Sequence, residues 1–125
     1  MSEDKLLHRE ISESIVGSCM QVLNTLRPGL SERAYENALV VELTNRGHSV
    51  NQQSSFNVIY EGVLVDTLIP DLIVDGSVII DTKVVEDFNM THIAQMMGYL
   101  AISRLRLAIL ANFKHADFRW RRVIR

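Results

Sequence analysis

Between Leu68 and Val85 the chain sets three charged residues, Asp71, Asp81 and Lys83, inside a run whose other residues read as two buried strands. The run is Leu68-Ile69-Pro70-Asp71-Leu72-Ile73-Val74, a break at Asp75-Gly76-Ser77, and then Val78-Ile79-Ile80-Asp81-Thr82-Lys83-Val84-Val85. β-Branched residues on both sides of an Asp-Gly turn predict a hairpin, and near-continuous hydrophobicity predicts strands covered on both faces. Asp and Lys are depleted in strands, and a buried charge without a partner is costly, so the three require mutual pairing or a ligand. A local rule broken inside a consistent segment points to a functional site.

Loop length decides whether these groups meet. Side chains alternate faces along a strand, so a two-residue Asp75-Gly76 loop would pair Asp71 with Ile80 and send Asp81 to the other face. A three-residue Asp75-Gly76-Ser77 loop sets Asp71 opposite Asp81, with Lys83 two residues along on the same face. Moving that loop back by one residue keeps all three on one face but makes the acidic pair diagonal. Two carboxylates pressed together repel, a divalent cation relieves the repulsion, and Lys83 adds a fixed positive charge at the edge.

The rest of the chain supplies scaffold. Leu6, Leu7, Ile11, Ile15, Val16, Cys19, Val22, Leu23 and Leu26 fall near helical spacing, predicting a first helix from about Glu3 to Leu26 that leaves Glu10, Glu13 and Gln21 outside. Arg27-Pro28-Gly29 breaks it, and Ser31 is a cap for a second helix that runs to Arg46 and stops at Gly47. Glu32 and Glu36 share a face of that helix with Tyr35 beside them. From Ser49 to Asp66 two strands of a meander are expected around a Glu61-Gly62 turn. Pro70 cannot donate to a ladder, so a bend or bulge is expected there. A third helix from about Thr91 to Ser103, capped by Asn89 or Thr91, carries His92, Gln95 and Tyr99 on one face. Leu105–Asn112 and Phe118–Ile124 read as two closing strands, with Trp120 partly buried and the arginines facing out. The Met90, Met96 and Met97 side chains are ordinarily core filler in such a helix.

With 125 residues, of which 47% are hydrophobic, the chain suits one packed domain spanning residues 1–125. A lone Cys19 in an apolar stripe excludes an internal disulfide. The absence of a signal peptide or a long apolar run makes a cytoplasmic location, away from membranes, the expectation. A formal net charge of −2 argues against an indiscriminate polyanion binder. Basic residues nevertheless gather late: Arg104, Arg106, Lys114, Arg119, Arg121, Arg122 and Arg125 stand against Asp117 alone. A basic end beside an acidic centre suits a phosphate backbone, with Arg104, Arg106, Lys114 and Arg119 as the expected contacts; a merely solvated surface is the plain alternative.

Pro70-Asp71, nine intervening residues and Asp81-Thr82-Lys83 resemble the signature of the PD-(D/E)xK nuclease superfamily. Upstream, Gly29-Leu30-Ser31-Glu32-Arg33-Ala34-Tyr35 is similar to the motif that names the GxxExxY branch, and Glu36-Asn37-Ala38-Leu39 continues it. Downstream, His92-Ile93-Ala94-Gln95 with Tyr99-Leu100 resembles that branch's later helix. Three motifs in order cover roughly residues 10 to 113; the one departure is Asp81, where the branch more often has glutamate.

The resemblance implies an α/β restriction-endonuclease-like core, a mixed sheet flanked by helices in the order ααβββαββ. It implies metal-dependent hydrolysis of phosphodiesters in DNA, or less so RNA. Mg²⁺ or Mn²⁺ would be held by Asp71, Asp81, the Thr82 carbonyl and a helix glutamate, with Glu36 the first choice and Glu32 the second. Lys83 would position water and stabilise charge on phosphorus. Gln95 and Tyr99 match the later-helix pair that holds the lysine or the phosphate. His92 has two readings, metal ligand or base against hydrogen-bonded structural residue. The alternative to an enzyme is a silent nuclease-like domain that binds nucleic acid or a protein partner. A structural subunit of a larger complex and a homodimer are further possibilities that the sequence leaves open.

Overall fold

The computed structural model describes residues 7–125. In chain order the elements are α1 (Arg9–Leu26), α2 (Glu32–Asn45), β1 (Val50–Gln52), β2 (Phe56–Tyr60), β3 (Val63–Leu68), β4 (Leu72–Val74), β5 (Val78–Lys83), α3 (Met90–Ser103), β6 (Leu107–Asn112) and β7 (Arg119–Ile124). A five-stranded mixed sheet runs β1-β4-β5-β6-β7, and β2 and β3 form a separate two-stranded sheet. The β5–β6 pair is parallel, joined over one face by α3, and the other ladders are antiparallel.

Alternation along the strands gives the sheet two covered faces. Leu72, Val74, Val78, Ile80, Leu107 and Ile109 pack with Ile15, Cys19, Leu23, Leu39 and Leu43 of α1 and α2. Ile73, Ile79, Ala108, Leu110 and Val123 pack against Met96 and Leu100 of α3. Residues of β4 and β5 other than Lys83 are buried, as a strand covered on both sides requires.

The helix boundaries follow local signals. Ser31 caps α2 by accepting from the Ala34 N–H at 3.3 Å. Asn89 caps α3 in a reciprocal box: its side chain accepts from the His92 N–H, and His92 Nδ1 accepts from the Asn89 N–H. The expected start of the first helix at Glu3, and Leu6 in its stripe, lie outside the described residues. Buried Ile15, Cys19, Val22 and Leu23 form the stripe's centre, whereas Leu26 at its end is exposed. Burial pushes the Cys19 thiol well up, as befits a core residue. Of the methionines in α3, Met96 is core, while Met90 and Met97 are exposed.

The strand count before α3 is five rather than three. Gln53-Ser54-Ser55 separate β1 from β2, and Ile69-Pro70-Asp71, with no N–H at Pro70, separate β3 from β4. β1 therefore pairs with β4 and not with its chain neighbour, which leaves β2–β3 as a lateral hairpin. The chain bends at Asp71 directly after Pro70, one of the two outcomes expected there, and a bulge lies separately at Val58/Ile59 against Leu64–Asp66. Glu61 and Gly62, both at positive φ, make the tight turn between β2 and β3.

Candidate active site

The β4–β5 turn is the three-residue Asp75-Gly76-Ser77, since Val74 pairs with Val78, Ile73 with Ile79 and Leu72 with Ile80. Asp71 and Asp81 come next beyond that register, with Asp71 at a bend just outside the ladder. The turn is held from outside itself. Asp75 carries a positive φ, its N–H reaches the Ser49 carbonyl at 2.8 Å, and its carboxylate accepts from the Ser49 N–H at 2.9 Å. His48 bridges the Asp75 carboxylate through Nδ1 and the Ser14 hydroxyl of α1 through Nε2, each at 2.7 Å. The hydrogen bond to His48 is the chief cause that lowers the Asp75 carboxyl below its ordinary range.

Asp81 and Lys83 share the odd-numbered face of β5 with Ile79, the face covered by α3. Asp81 is 4% exposed. Lys83 Nζ lies 2.5 Å from its Oδ2 as an ion pair, and that buried oxygen has no other partner among the described residues. Burial first, and the Asp71 carboxylate second, push Asp81 up to about 6 against the lowering pull of Lys83; Glu32 adds a smaller upward push. Asp71 is better satisfied: its Oδ2 accepts from the Thr82 N–H at 2.9 Å and the Thr82 hydroxyl at 3.0 Å. Lys83 Nζ also donates to Gln95 Oε1 at 3.3 Å, and Gln95 Nε2 donates to the Tyr99 hydroxyl at 3.0 Å. Burial, then the Asp81 and Asp71 charges, raise the Tyr99 phenol, which stays neutral as it accepts from Gln95.

The two helix glutamates have different surroundings. Glu32 Oε1 accepts from the Val84 N–H at 3.3 Å, and its carbonyl lies 3.5 Å from the Thr82 hydroxyl. It therefore stands at the end of β5, where its charge adds to the upward push on Asp81. Glu36, 3% exposed, accepts through Oε2 from the Gln52 and Gln53 side-chain amides at 2.7 and 2.9 Å, with Arg33 3.8 Å from Oε1. Gln53, at φ 58°, donates its backbone N–H to the Asp71 carbonyl at 2.9 Å. The sequence offered no sign of this chain from Glu36 through Gln53 to Asp71, because Gln52 and Gln53 read as ordinary polar strand ends.

The motif around Glu32 is legible as structure. Gly29 supplies a φ of 121° in the turn, and fully buried Tyr35 donates to the Arg27 carbonyl at 2.7 Å and accepts from the Leu30 N–H. Its ring stacks on Phe113 at 4.7 Å. Glycine and tyrosine thus fix the α1–α2 turn that aims Glu32 at β5. His92 spends its Nδ1 on the helix cap, the structural one of its two readings.

The basic residues divide between the two ends of the sheet. Asn112 pairs with Lys83 on one side and Arg119 on the other, so Arg119 and nearby Lys114 lie at the acidic end. Both have exposed acidic neighbours, Asp117 and Glu86, each at 3.5 Å. Arg104 and Arg106 precede Leu107, the partner of Val78, at the opposite end; Arg106 is roughly 13 Å along β6 from Leu110, which pairs with Asp81. Parallel pairing of β5 with β6, invisible in the sequence, is what separates them. Arg122 turns inward, donating to the Leu7 carbonyl at 2.9 Å and the Ser12 hydroxyl at 3.3 Å, whereas the other arginines of β7 are exposed.

The donor chemistry fits a hard divalent cation: two neighbouring carboxylates, one of them buried with only a lysine at its Oδ2, and no soft ligand beside them. Among the described residues no three His, Cys, Asp or Glu side chains converge on a point. Mg²⁺ is commonly held by one or two carboxylates and waters, so the acidic pair remains a sufficient protein contribution.

A mixed sheet with helices on both faces and an acidic pair with lysine on adjacent central strands define a restriction-endonuclease-like fold. Residues 9–123 match the PD-(D/E)XK nuclease superfamily, and the chain belongs to it. Among solved structures it is similar to an alkaline exonuclease from Laribacter hongkongensis, with 11% identity and a TM-score of 0.51 over 86% of this chain and 76% of that one. No curated protein matches it. Nucleases of the superfamily generally depend on divalent metal. Among the described residues no helix is long and apolar enough to cross a membrane.

Proposed function

We propose that the chain is a metal-dependent nuclease of the GxxExxY branch that hydrolyses phosphodiester bonds in DNA, with RNA the lesser substrate, in the cytoplasm. The observation that carries the reading is the placing of Asp71 and Asp81 at neighbouring ends of the β4–β5 hairpin, with Asp81 buried and ion-paired to Lys83. Asp71, Asp81 and the Thr82 carbonyl would hold Mg²⁺ or Mn²⁺. Glu32, which acts on the charge state of Asp81, is better placed than Glu36 to join them. The bound ion supplies Lewis acidity and lowers the pKa of water.

The chain's own groups do the rest. Lys83 offers its ammonium to the charge that develops on phosphorus, and a preorganised cation at that point needs no role as a base. Gln95 holds Lys83 and is itself oriented by Tyr99. Lys114 and Arg119 offer phosphate contacts at the acidic end; Arg104 and Arg106 would reach only backbone far from the cleaved bond.

A silent nucleic-acid- or protein-binding domain is the second reading, favoured by the lack of a three-carboxylate cluster among the described residues. Calorimetric titration of Mg²⁺ and Mn²⁺ into wild type and Asp71→Asn, with cleavage assays on DNA and RNA, separates the two. The nuclease reading expects metal binding that Asp71→Asn loses, and metal-dependent cleavage. Wild type that binds neither ion, alone or with nucleic acid, would make the silent domain the better account.

A further inference from the structure

At the other end of the β4–β5 hairpin from the acidic pair, three side chains meet in an order to which their chemistry gives a direction. Ser14 Oγ of α1 lies 2.7 Å from His48 Nε2, and His48 Nδ1 lies 2.7 Å from Asp75 Oδ2. An ionised carboxylate only accepts, so Nδ1 carries the imidazole proton, Nε2 keeps its lone pair, and the Ser14 hydroxyl donates to it. The second Asp75 oxygen accepts from the Ser49 N–H at 2.9 Å, which orients the acid as the acid orients the ring. A nucleophile, a base and an acid that orients the base, each within hydrogen-bond reach of the next, are the parts of a Ser-His-Asp triad, which is recognised by geometry and not by chain order.

The β4–β5 turn does not depend on Ser14 for its shape, since two hydrogen bonds already tie Asp75 to Ser49. A cation also stands beside the serine. Gly17 is three residues on from Ser14 and so its neighbour on the surface of α1. A Cβ at Gly17 would sit 3.0 Å from Arg46 Nη1, so the missing side chain gives the guanidinium its place. Cα–Cβ bonds tilt toward the N-terminus of a helix, which puts that place over the turn carrying Ser14. Glu42 holds the guanidinium by its Nε at 2.8 Å. A cation fixed there can take the charge that develops on a carbonyl oxygen when a serine adds to the carbon. Access is narrow but open: Ser14 is half-buried, and the His48 and Asp75 side chains are 15% and 32% exposed. That suits a small acyl group better than a polymer.

We propose that Ser14, His48 and Asp75 form a second active site that hydrolyses small carboxylic esters, with Ser14 as the nucleophile. Ser14 Oγ bonds to the acyl carbon as its proton passes to His48 Nε2, and Asp75 steadies the imidazolium. The bond between the acyl carbon and the alkoxy oxygen then breaks, and His48 gives the proton to that oxygen, so an alcohol departs. Water repeats the sequence on the acylated serine: it yields a proton to His48, its oxygen joins the acyl carbon, and a carboxylic acid leaves as the Ser14 hydroxyl is restored. Arg46 faces the oxyanion in both halves. Asp75 is four residues from Asp71, about 13 Å along the strand, so the cycle proceeds apart from the acidic pair.

The test treats the full chain, in EDTA, with p-nitrophenyl acetate and with a fluorophosphonate, which transfers its phosphonyl group to an activated serine and releases fluoride. The native chain is expected to take a single phosphonyl group, mapped to Ser14 by peptide mass spectrometry, and to release p-nitrophenol over repeated turnovers. Ser14→Ala keeps both Asp75–Ser49 bonds and is expected to retain its circular dichroism while losing the label and the turnover. Asp75→Asn presents an amide N–H to the ring and reverses its tautomer, so labelling should slow by about tenfold or more. A native Ser14 that takes no label, or takes it no faster than the heat-unfolded chain, overturns the proposal. Ester hydrolysis that Ser14→Ala leaves intact also overturns it, because exposed lysines and histidines react with this ester without a triad. Metal is withheld throughout, so either result is independent of the nuclease reading.

Discussion

Asp71 and Asp81, at neighbouring ends of the β4–β5 hairpin and close enough for one charge to act on the other, have unequally satisfied carboxylates. Thr82 gives Asp71 both its N–H and its hydroxyl, while the buried Oδ2 of Asp81 has only the Lys83 ammonium beside it. The inequality sets the behaviour of the apo protein and the expected effect of each substitution.

Stability without metal should fall as pH rises through about 6. Asp81 titrates near 6 in the folded chain and near ~3.9 unfolded, so the folded state binds the extra proton between those values. The resulting stabilisation is complete below about pH 4 and lost as pH passes 6. Its ceiling is about 3 kcal/mol, from two pKa units at ~1.4 kcal/mol each. Thermal melts at pH 5 and 7.5 read this out. Asp81→Asn should flatten the profile and be at least as stable as wild type at pH 7.5, whereas a large loss of stability at both pH values would mark the pair as a structural salt bridge.

Lys83→Ala should abolish metal-dependent cleavage while leaving folding and metal binding in place. A nearby ammonium opposes a divalent ion, so the variant's metal affinity should rise slightly. An interaction made mainly in the transition state appears in kcat and not in ground-state binding. Calorimetry beside single-turnover cleavage checks the split; equal loss of metal and activity would assign Lys83 to holding the site together.

Thr82→Val removes one of the two donors to Asp71 and keeps the N–H. The expected cost is about 1 kcal/mol in stability and roughly tenfold in metal affinity, the scale for losing a group that orients a ligand. Unchanged affinity would mean that the backbone donor alone orients Asp71.

Glu36 separates a ligand from a support. Glutamine at position 36 still offers a carbonyl oxygen to the Gln52 and Gln53 amides, so Glu36→Gln should keep metal affinity. Glu36→Leu leaves exposed Gln52 its Asn37 partner but strands the Gln53 amide at about 1–3 kcal/mol, and should loosen the Gln53 N–H that holds Asp71. Hydrogen exchange at Gln53 reports the loosening without metal. If Glu36→Gln loses the ion as fully as Asp81→Asn does, Glu36 is a ligand after all.

What could be read from the sequence was local or periodic. The three-residue turn and the register it sets between β4 and β5 were open to counting, because strand parity depends only on residue number. Helix caps at Ser31 and Asn89 and the break at Arg27-Pro28-Gly29 are short-range chemistry of the same kind. Other features needed contacts between residues distant in the chain. His48 secures the decisive turn from the α2–β1 connection, and Gln53 links Glu36 to the Asp71 backbone. Pairing β1 with β4 freed the apolar hairpin between them, and parallel pairing of β5 with β6 sent Arg104 and Arg106 to the far end. Periodicity assigns a side chain to a face of its own element, but which strands become neighbours is decided by packing the whole sheet between its helices.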